Sequence, residues 1–145
     1  MATTVPDTSF LFSLYGNDAH TETARDWALR NPRVLSVTVL GRYEFQNAIR
    51  FAAYRKYISQ SDALASLAAV EADLRDGPLE LVSCDLATLV AAAARLSERH
   101  TLRGGHRSFD VLHVATAKHL KATTFLSFDA NQRKLAAAVG LAVAP

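Results

Sequence analysis

Residues 109–129 read FDVLHVATAKHLKATTFLSFD, a helix pattern followed by a strand pattern. From residue 109 to about residue 120 the helical pattern is apolar almost all round, which predicts a buried helix. Residues 124–127 are apolar or β-branched for the most part, which predicts a short buried strand. A buried helix that leads into a buried strand is typical of a parallel sheet covered by helices.

The same alternation continues outward to both ends of the chain. Strands are predicted at residues 4–7, 34–37, 79–83 and 141–143, and helices at residues 8–15, 17 or 18 to 30, about 39–57, 61 or 62 to 76, 86 to about 100 and 131–139. Residues 101–108, which contain two adjacent glycines, are predicted to form a loop. Pro6 fits poorly in a central strand, because proline cannot donate a ladder hydrogen bond. Strands separated by helices predict a parallel sheet with helices on both faces.

Composition places the chain among globular proteins. Its 145 residues are 50% hydrophobic and 21% charged, which excludes intrinsic disorder and provides enough apolar surface for a core. The sequence has no repeat and no Pro/Gly-rich linker, so we expect one domain over residues 1–145. Lys and Arg number 16 against 14 Asp and Glu, so any contact with nucleic acid must come from a local patch rather than from net charge.

Further classes are excluded by what the sequence lacks. The single cysteine, Cys84, excludes an internal disulfide framework and a Cys-rich zinc site. No apolar run approaches the roughly 18 residues needed to span a bilayer, and the short polar N-terminus lacks the layout of a secretion signal. We therefore expect a soluble, cytoplasmic protein that does not contact a membrane.

Acidic residues follow the predicted strands, at the edge where parallel sheets bind their ligands. Asp7 and Asp129 come at the ends of two strands, and Glu44 lies early in the helix after the second strand. Asp110 begins the buried helix just after the Gly-Gly turn. Each acid alone has an ordinary structural explanation, as a turn or cap residue, a first-turn acid favoured by the helix dipole, or a side chain on a solvated face.

Together, these acids need a counter-charge. Two carboxylates about 4 Å apart repel by ~4 kcal/mol at an effective dielectric constant of about 20. Four such groups around one pocket would take up protons or spread apart unless a cation held them. An all-oxygen ligand set suits a hard divalent ion, so the predicted cofactor is Mg²⁺ or Mn²⁺.

The motifs around these acids resemble those of the PIN-domain nucleases, in particular the toxins of bacterial VapBC-type toxin–antitoxin pairs. The matching pieces run nearly end to end in the family's order: DTSFL at 7–11, EFQNA at 44–48, FDVLHVATA at 109–117 and FLSFD at 125–129. The resemblance implies a three-layer α/β/α sandwich with a central, mainly parallel sheet of four to five strands. It also implies metal-dependent hydrolysis of RNA that leaves a 5′-phosphate and a 3′-hydroxyl, and a cognate antitoxin that blocks the site.

The resemblance also assigns roles to individual acids. The family's acidic positions carry over to Asp7, Glu44, Asp110 and Asp129, which it implies are catalytic residues and direct or water-mediated metal ligands. The sequence departs from the family after the fourth acid, where Asn131-Gln132 stands in place of another acid or a Thr/Ser-rich turn.

Two polar residues beside the acids are secondary candidates. Ser9, two residues after Asp7, is placed to bond a metal-bound water or the substrate phosphate, or to cap a helix. Asn47 lies on the side of Glu44 one turn further on, where it holds the Glu44 carboxylate or is an ordinary polar helix residue.

Three basic or titratable residues complete the secondary candidates. His113 lies at i+3 from Asp110 and is interpreted as a buried, hydrogen-bonded histidine in preference to a catalytic one. Arg42 and Arg107 are adjacent to the acids in sequence and are the candidates for holding the RNA backbone, with solvated helix faces as the alternative.

An aromatic stripe is predicted on the helix that contains Glu44. It consists of Phe51, Tyr54 and Tyr57 together with Ile58. The stripe either packs into the core or forms a surface for a dimer partner or an antitoxin.

The leading hypothesis is an Mg²⁺- or Mn²⁺-dependent endoribonuclease that is the toxin of a type II toxin–antitoxin pair. Its expected partners are an RNA substrate, a cognate antitoxin and a second copy of the chain in a homodimer. The alternatives are a housekeeping PIN-domain nuclease of RNA processing and a non-catalytic RNA-binding module on the same fold. A phosphoacceptor receiver domain would need a lysine after a late strand, and residues 125–129 offer none.

Overall fold

The computed structural model describes residues 2–145, which form seven helices and five strands. The strands are β1 (Thr4–Pro6), β2 (Leu35–Thr38), β3 (Leu79–Val82), β4 (Thr124–Leu126) and β5 (Ala142–Ala144). The helices are α1 (Thr8–Tyr15), α2 (Thr21–Arg30), α3 (Val39–Tyr54), α4 (Gln60–Asp76), α5 (Leu86–Gly104), α6 (Ser108–His119) and α7 (Ala130–Ala138). None of the helices within residues 2–145 is long and apolar enough to cross a membrane.

The strands form one parallel sheet in the order β3-β2-β1-β4-β5. Helices α1 to α4 pack on one face of this sheet, and α5 to α7 pack on the other. The predicted three-layer α/β/α sandwich with a mainly parallel sheet is therefore confirmed.

Two apolar clusters lie on opposite faces of the sheet, because successive side chains of a strand point to opposite sides. Phe125 of β4 packs with Val114 and Leu135 beneath α6 and α7. The next residue of the same strand, Leu126, belongs to the cluster around Phe45 beneath α1 to α4. The inner strands β1 and β2 are buried at every position, which explains why they show no alternation of apolar and charged residues.

Pro6 lies in the central strand of the sheet, contrary to the expectation from its missing N–H group. It is aligned with Leu126 of β4, and the following residue, Asp7, donates its backbone N–H to the Leu126 carbonyl at 2.9 Å. Proline is tolerated here because it is the last residue of β1 and the chain turns directly into α1.

Helix α5 is one turn longer than the sequence predicts, since it continues through the first four residues of the predicted 101–108 loop. Gly105 then adopts a left-handed conformation with φ of 66°, and its N–H donates to the Thr101 carbonyl at 2.8 Å. Glycine adopts this conformation without the steric cost of a Cβ atom, so Gly105 ends the helix. The remaining loop is short and leads into α6.

Four helices begin at the carboxyl edge of the sheet, shortly after the strands that precede them. Asp7, Thr38, Asp85 and Asp129 cap α1, α3, α5 and α7, and each side-chain oxygen accepts the backbone N–H of the third residue after it. These caps place Asp7 and Asp129 at the same edge of the sheet.

The aromatic stripe is mostly exposed, so its interpretation as core packing is wrong for the three aromatic residues. Phe51 and Tyr54 are 53% and 80% exposed at the end of α3, which stops at residue 54 rather than about residue 57. The guanidinium of Arg55 lies 5.7 Å from the Phe51 ring centroid and 5.1 Å from that of Tyr57, which is also exposed. Ile58 differs, since it is half-buried and packs against the core.

The contrast between buried and exposed aromatic residues of α3 gives a stability prediction. Phe45→Ala should lower the free energy of unfolding by about 3–5 kcal/mol, because it opens a cavity in a fully buried cluster. Phe51→Ala on the same helix should cost less than about 1 kcal/mol. Urea denaturation of both variants measures the difference, and equal costs would contradict the assignment of the core.

Candidate active site

A cavity of about 220 Å³ lies at the carboxyl edge of the sheet. Its lining includes the carboxylates of Asp7 after β1, Glu44 of α3 and Asp110 of α6. The other lining residues are Thr8, Ser9, Phe12, Arg107 and Gln132. Asp129 is not in the lining, but its Oδ2 lies 3.6 Å from a guanidinium nitrogen of Arg107. The structure thus brings three of the four predicted acids to one cavity and the fourth next to it.

Asp7 is the most deeply buried of these acids, with 2% of its surface exposed. Its Oδ1 accepts hydrogen bonds from the Ser9 hydroxyl at 2.7 Å and the Phe10 backbone N–H at 2.9 Å. Its Oδ2 accepts a hydrogen bond from the Ser127 hydroxyl. The carboxylate is therefore held by groups from both α1 and the segment after β4.

Burial raises the pKa of Asp7, because the charged carboxylate loses its hydration. The hydrogen bonds from Ser127, Ser9 and Phe10 favour the charged form, and so does the nearby His113, but they do not outweigh burial. The neighbours of Asp7 therefore offset the cost of burying its charge only in part.

Glu44 is paired with His113 between α3 and α6. Its Oε2 lies 3.0 Å from the Nε2 atom of the histidine, which is buried. Burial disfavours the charged form of Glu44, but the hydrogen bond and the charge of His113 outweigh it, so the pKa of Glu44 is lowered. His113 thus bonds to Glu44, although it shares a helix with Asp110.

Arg107 brings a positive charge to the mouth of the cavity. Its Nε donates to Asp110 Oδ2 at 2.9 Å, and its guanidinium also reaches Asp129. The hydrogen bond and charge of Asp110 raise the pKa of Arg107 further above its ordinary value. The Arg107 side chain is 77% exposed, whereas that of Asp110 is 14% exposed. The ion pair therefore joins an inner acid to a cation that faces solvent.

The remaining secondary candidates are placed in three different ways. Ser9 lines the cavity, and its hydroxyl oxygen accepts the backbone N–H of Phe128 at 2.9 Å. Asn47 is exposed and lies outside the cavity lining. Arg42 donates two hydrogen bonds to Glu71, at 2.9 and 2.7 Å, and so ties α3 to α4 outside the cavity.

Gln132 and Thr8 line the cavity but were not singled out from the sequence. Gln132 is buried, its Nε2 lies 3.4 Å from Asp110 Oδ1, and its Oε1 has no hydrogen-bond partner in the described part of the chain. The available signal was a polar residue on the face of α7 that buries Leu135 and Ala136, since positions i, i+3 and i+4 are neighbours on a helix. For Thr8 the signal was its position directly after Asp7.

The cavity fits a hard divalent cation by the chemistry of its donors. Carboxylate oxygens from several segments face one small space, and such oxygens are the ligands that Mg²⁺ and Mn²⁺ prefer. As the side chains stand, no three His, Cys, Asp or Glu residues between positions 2 and 145 are grouped closely enough to hold an ion. Hydroxyl groups, His113 and Arg107 compensate the carboxylates instead. A bound ion would therefore replace existing contacts.

Comparison with known proteins identifies the family. The family model described as "PIN domain" matches residues 4–138. No curated protein sequence matches the chain. The matched region contains every acid of the candidate site.

Solved structures share the fold at low sequence identity. VapC20 of Mycobacterium tuberculosis, a sarcin–ricin loop cleaving toxin, has a TM-score of 0.71 and 20% identity over 96% of this chain and 96% of its own. PAE2754 of Pyrobaculum aerophilum has a TM-score of 0.66 and 16% identity, over 98% of this chain and 89% of its own. FitAcB of Neisseria gonorrhoeae has a TM-score of 0.60 and 14% identity, over 99% and 97% of the two chains.

The raised pKa of Asp7 predicts how stability depends on pH. Below its ordinary pKa of 3.8, a buried acid with a raised pKa is protonated in both the folded and the unfolded chain and does not lower the free energy of unfolding. As the pH rises through the pKa of the folded state the fold loses stability, because the unfolded chain gives up the proton more readily. Asp7→Asn stays neutral and keeps an oxygen for Phe10, so it should raise the melting temperature at neutral pH by about 3–5 °C, the effect of about 1 kcal/mol. Thermal melts in EDTA from about pH 4 to pH 7 test this, and a gain that does not grow with pH would contradict it.

Proposed function

The chain belongs to the PIN-domain family, and from this premise we propose that it is a metal-dependent endoribonuclease and the toxin of a type II toxin–antitoxin pair. The observation that carries the proposal is one cavity lined by the carboxylates of Asp7, Glu44 and Asp110 at the carboxyl edge of a parallel sheet. In this proposal residues 1–145 act as one nuclease domain in the cytoplasm.

Asp7, Glu44, Asp110 and Asp129 are the proposed catalytic residues and the groups that would hold Mg²⁺ or Mn²⁺. Carboxylates alone repel an anionic RNA backbone, so the need for a cation follows from the charge of the site. Held by these carboxylates, a divalent ion would supply positive charge for the scissile phosphate and the leaving oxygen and would make an attacking water more acidic. The expected products carry a 5′-phosphate and a 3′-hydroxyl.

The protein's own residues prepare the site in different ways. Hydrogen bonds from Ser9, Phe10 and Ser127 hold Asp7 in one orientation before any substrate arrives. Glu44 has a lowered pKa and stays ionised at neutral pH, which suits it to holding a cation or orienting a water molecule. The hydrogen bond from His113 fixes the direction of the Glu44 carboxylate.

The RNA backbone is proposed to enter past Arg107. This guanidinium is exposed at the mouth of the cavity, and arginine binds phosphate oxygens through charge-assisted hydrogen bonds. Arg42 stays a secondary candidate, because it would have to leave Glu71 before it could contact RNA. His113 is proposed to act through Glu44, to which it is hydrogen-bonded, since it does not line the cavity. Asn47 stays a secondary candidate one turn from Glu44 on α3, outside the cavity lining.

The toxin assignment is supported by the fold likeness to VapC20 and by an exposed aromatic surface. We propose that an antitoxin covers Phe51, Tyr54 and Tyr57 and places a cation, most simply an arginine, against the acids. Such a segment would fold on binding. The proposed assembly is a homodimer.

Loss of a site acid should abolish cleavage without unfolding the protein. Asp110→Asn is expected to lower Mg²⁺-dependent cleavage of defined RNAs by at least about 100-fold, because it removes a charged ligand beside the reaction. Asp26→Asn, an exposed acid of α2, is the matched control and should cleave like the wild type. Full activity of Asp110→Asn, or wild-type activity that survives EDTA, would overturn the site assignment.

The effect of metal ions on the melting temperature tests the same assignment of site acids by a second measurement. Mg²⁺ or Mn²⁺ should raise the wild-type melting temperature, because a ligand that binds the native state alone stabilises it. The rise should shrink in Glu44→Gln, and an equal rise in both proteins would place the ion elsewhere.

The toxin proposal predicts growth arrest that a partner relieves. Expression of the chain alone should stop growth, and co-expression with the product of the neighbouring gene should restore it. Tyr54→Ala should weaken that partner's binding by roughly 5- to 30-fold, the effect of an aromatic interface residue, when measured by calorimetry. Leu102→Ala, on an equally exposed position of α5, is the control and should bind normally.

Harmless expression of an active nuclease that binds no neighbouring product would favour the housekeeping alternative. If Tyr54→Ala disrupts the homodimer but leaves partner binding intact, the aromatic stripe is assigned to the dimer interface instead.

A further inference from the structure

Arg107 holds the place that a divalent cation would need. Its guanidinium bonds to Asp110 at 2.9 Å, lies 3.6 Å from Asp129, and lines the cavity together with Asp7 and Glu44. An arginine side chain and a metal ion cannot both be close to the same carboxylate oxygens without strong repulsion between their charges. The two cations therefore compete for one set of acids.

The contact between Arg107 and Asp110 is of a kind that opens easily. The arginine is 77% exposed, it donates through Nε alone, and its side chain makes no capping bond to α6. Because the arginine end of the pair lies in solvent, water screens the contact and lowers its contribution to stability, although the Asp110 side chain is largely buried. When Arg107 leaves, the other oxygen of Asp110 keeps Gln132 Nε2 at 3.4 Å, so the carboxylate remains partly held.

We propose that Arg107 is a built-in competitor of the divalent ion: it neutralises Asp110 and Asp129 in the metal-free protein and transfers to an RNA phosphate when the ion binds. This inference rests on the proposed function. In this exchange the guanidinium moves from a carboxylate oxygen to a phosphate oxygen, so it has a charge-assisted hydrogen bond both before and after. Metal and RNA then bind cooperatively. A bound ion releases Arg107 from the acids so that it can bind RNA, and bound RNA holds Arg107 away from the acids so that they can bind the ion.

The first experiment measures binding of Mg²⁺ alone by calorimetry. Arg107→Gln should bind Mg²⁺ about fivefold more tightly than the wild type, which corresponds to removing an ion pair at the upper end of the exposed range. Arg107→Lys keeps the charge and should bind more like the wild type. Arg99→Gln removes an exposed arginine of α5 that makes no ion pair in the described part of the chain, and should leave Mg²⁺ affinity unchanged.

The second experiment measures binding of a short single-stranded oligoribonucleotide by fluorescence anisotropy, in Ca²⁺ or in EDTA. Ca²⁺ should raise the RNA affinity of the wild type more than that of Arg107→Gln. In Ca²⁺, a plot of log RNA affinity against log salt concentration should be less steep for Arg107→Gln than for the wild type. Its slope should be smaller in magnitude by about 0.7, as expected for one lost phosphate contact to a single strand.

The outcomes separate this inference from the proposed function. Mg²⁺ binding that requires Asp110 but is unchanged or weakened in Arg107→Gln overturns the competitor role and leaves the nuclease proposal standing. Absence of Mg²⁺ binding in the wild type and in every variant overturns both. Tighter Mg²⁺ binding in Arg107→Gln with an unchanged RNA salt slope refutes the transfer to phosphate.

Discussion

The arrangement of the site is organised around one buried side chain, that of Asp7 at the end of the central strand. A charge in this position is costly unless it is hydrogen-bonded, and its partners come from two segments far apart in sequence. The Phe10 backbone N–H and the Ser9 hydroxyl tie it to α1, while Ser127 ties it to the end of β4. The same group therefore caps a helix, links two neighbouring strands and presents an acid to the cavity. Its raised pKa indicates that these hydrogen bonds do not fully replace the hydration that the carboxylate loses on burial.

The acids of the site are compensated by partners of three kinds. Asp7, the deepest, is held by neutral donors that belong to the frame of the fold. Glu44, partly buried, is paired with His113 of α6. Asp110 and Asp129 share Arg107, although the Asp110 side chain is less exposed than that of Glu44. Arg107 is the most exposed of these partners, so on the proposed function Asp110 and Asp129 are the acids whose partner a metal ion or a substrate exchanges most readily.

The element order was predictable because apolar strands and helical patterns alternate cleanly. The placement of Asp7 and Asp129 at one edge of the sheet was predictable because both are cap residues that follow parallel strands. Helix boundaries were less predictable. Helix α4 begins at Gln60 because Ser59 caps it, whereas the sequence predicted Ser61 or Asp62 as the cap. Several cap-competent residues stand in a row there, and packing decides among them. The pairings of Glu44 with His113, 69 positions apart, and of Arg42 with Glu71, 29 apart, follow from the packing of helices that local patterns do not specify.

Charge, not cavity size, is the ground on which the acidic cavity is proposed as the active site. A cavity of about 610 Å³ at the opposite edge of the sheet is nearly three times larger than the acidic one, and apolar residues such as Trp27, Pro32 and Pro78 contribute to its lining. Arg25 and Arg33 also line it, but no carboxylate does, so it offers no ligand set for a divalent ion. The acidic cavity is smaller than a typical pocket for an organic ligand of roughly 300–1,000 Å³, so it suits an ion and one phosphate group better than a nucleobase. On the proposed function, the choice among RNA sequences must therefore be made by surfaces outside this cavity, while the cavity itself performs the same reaction on any phosphodiester presented to it.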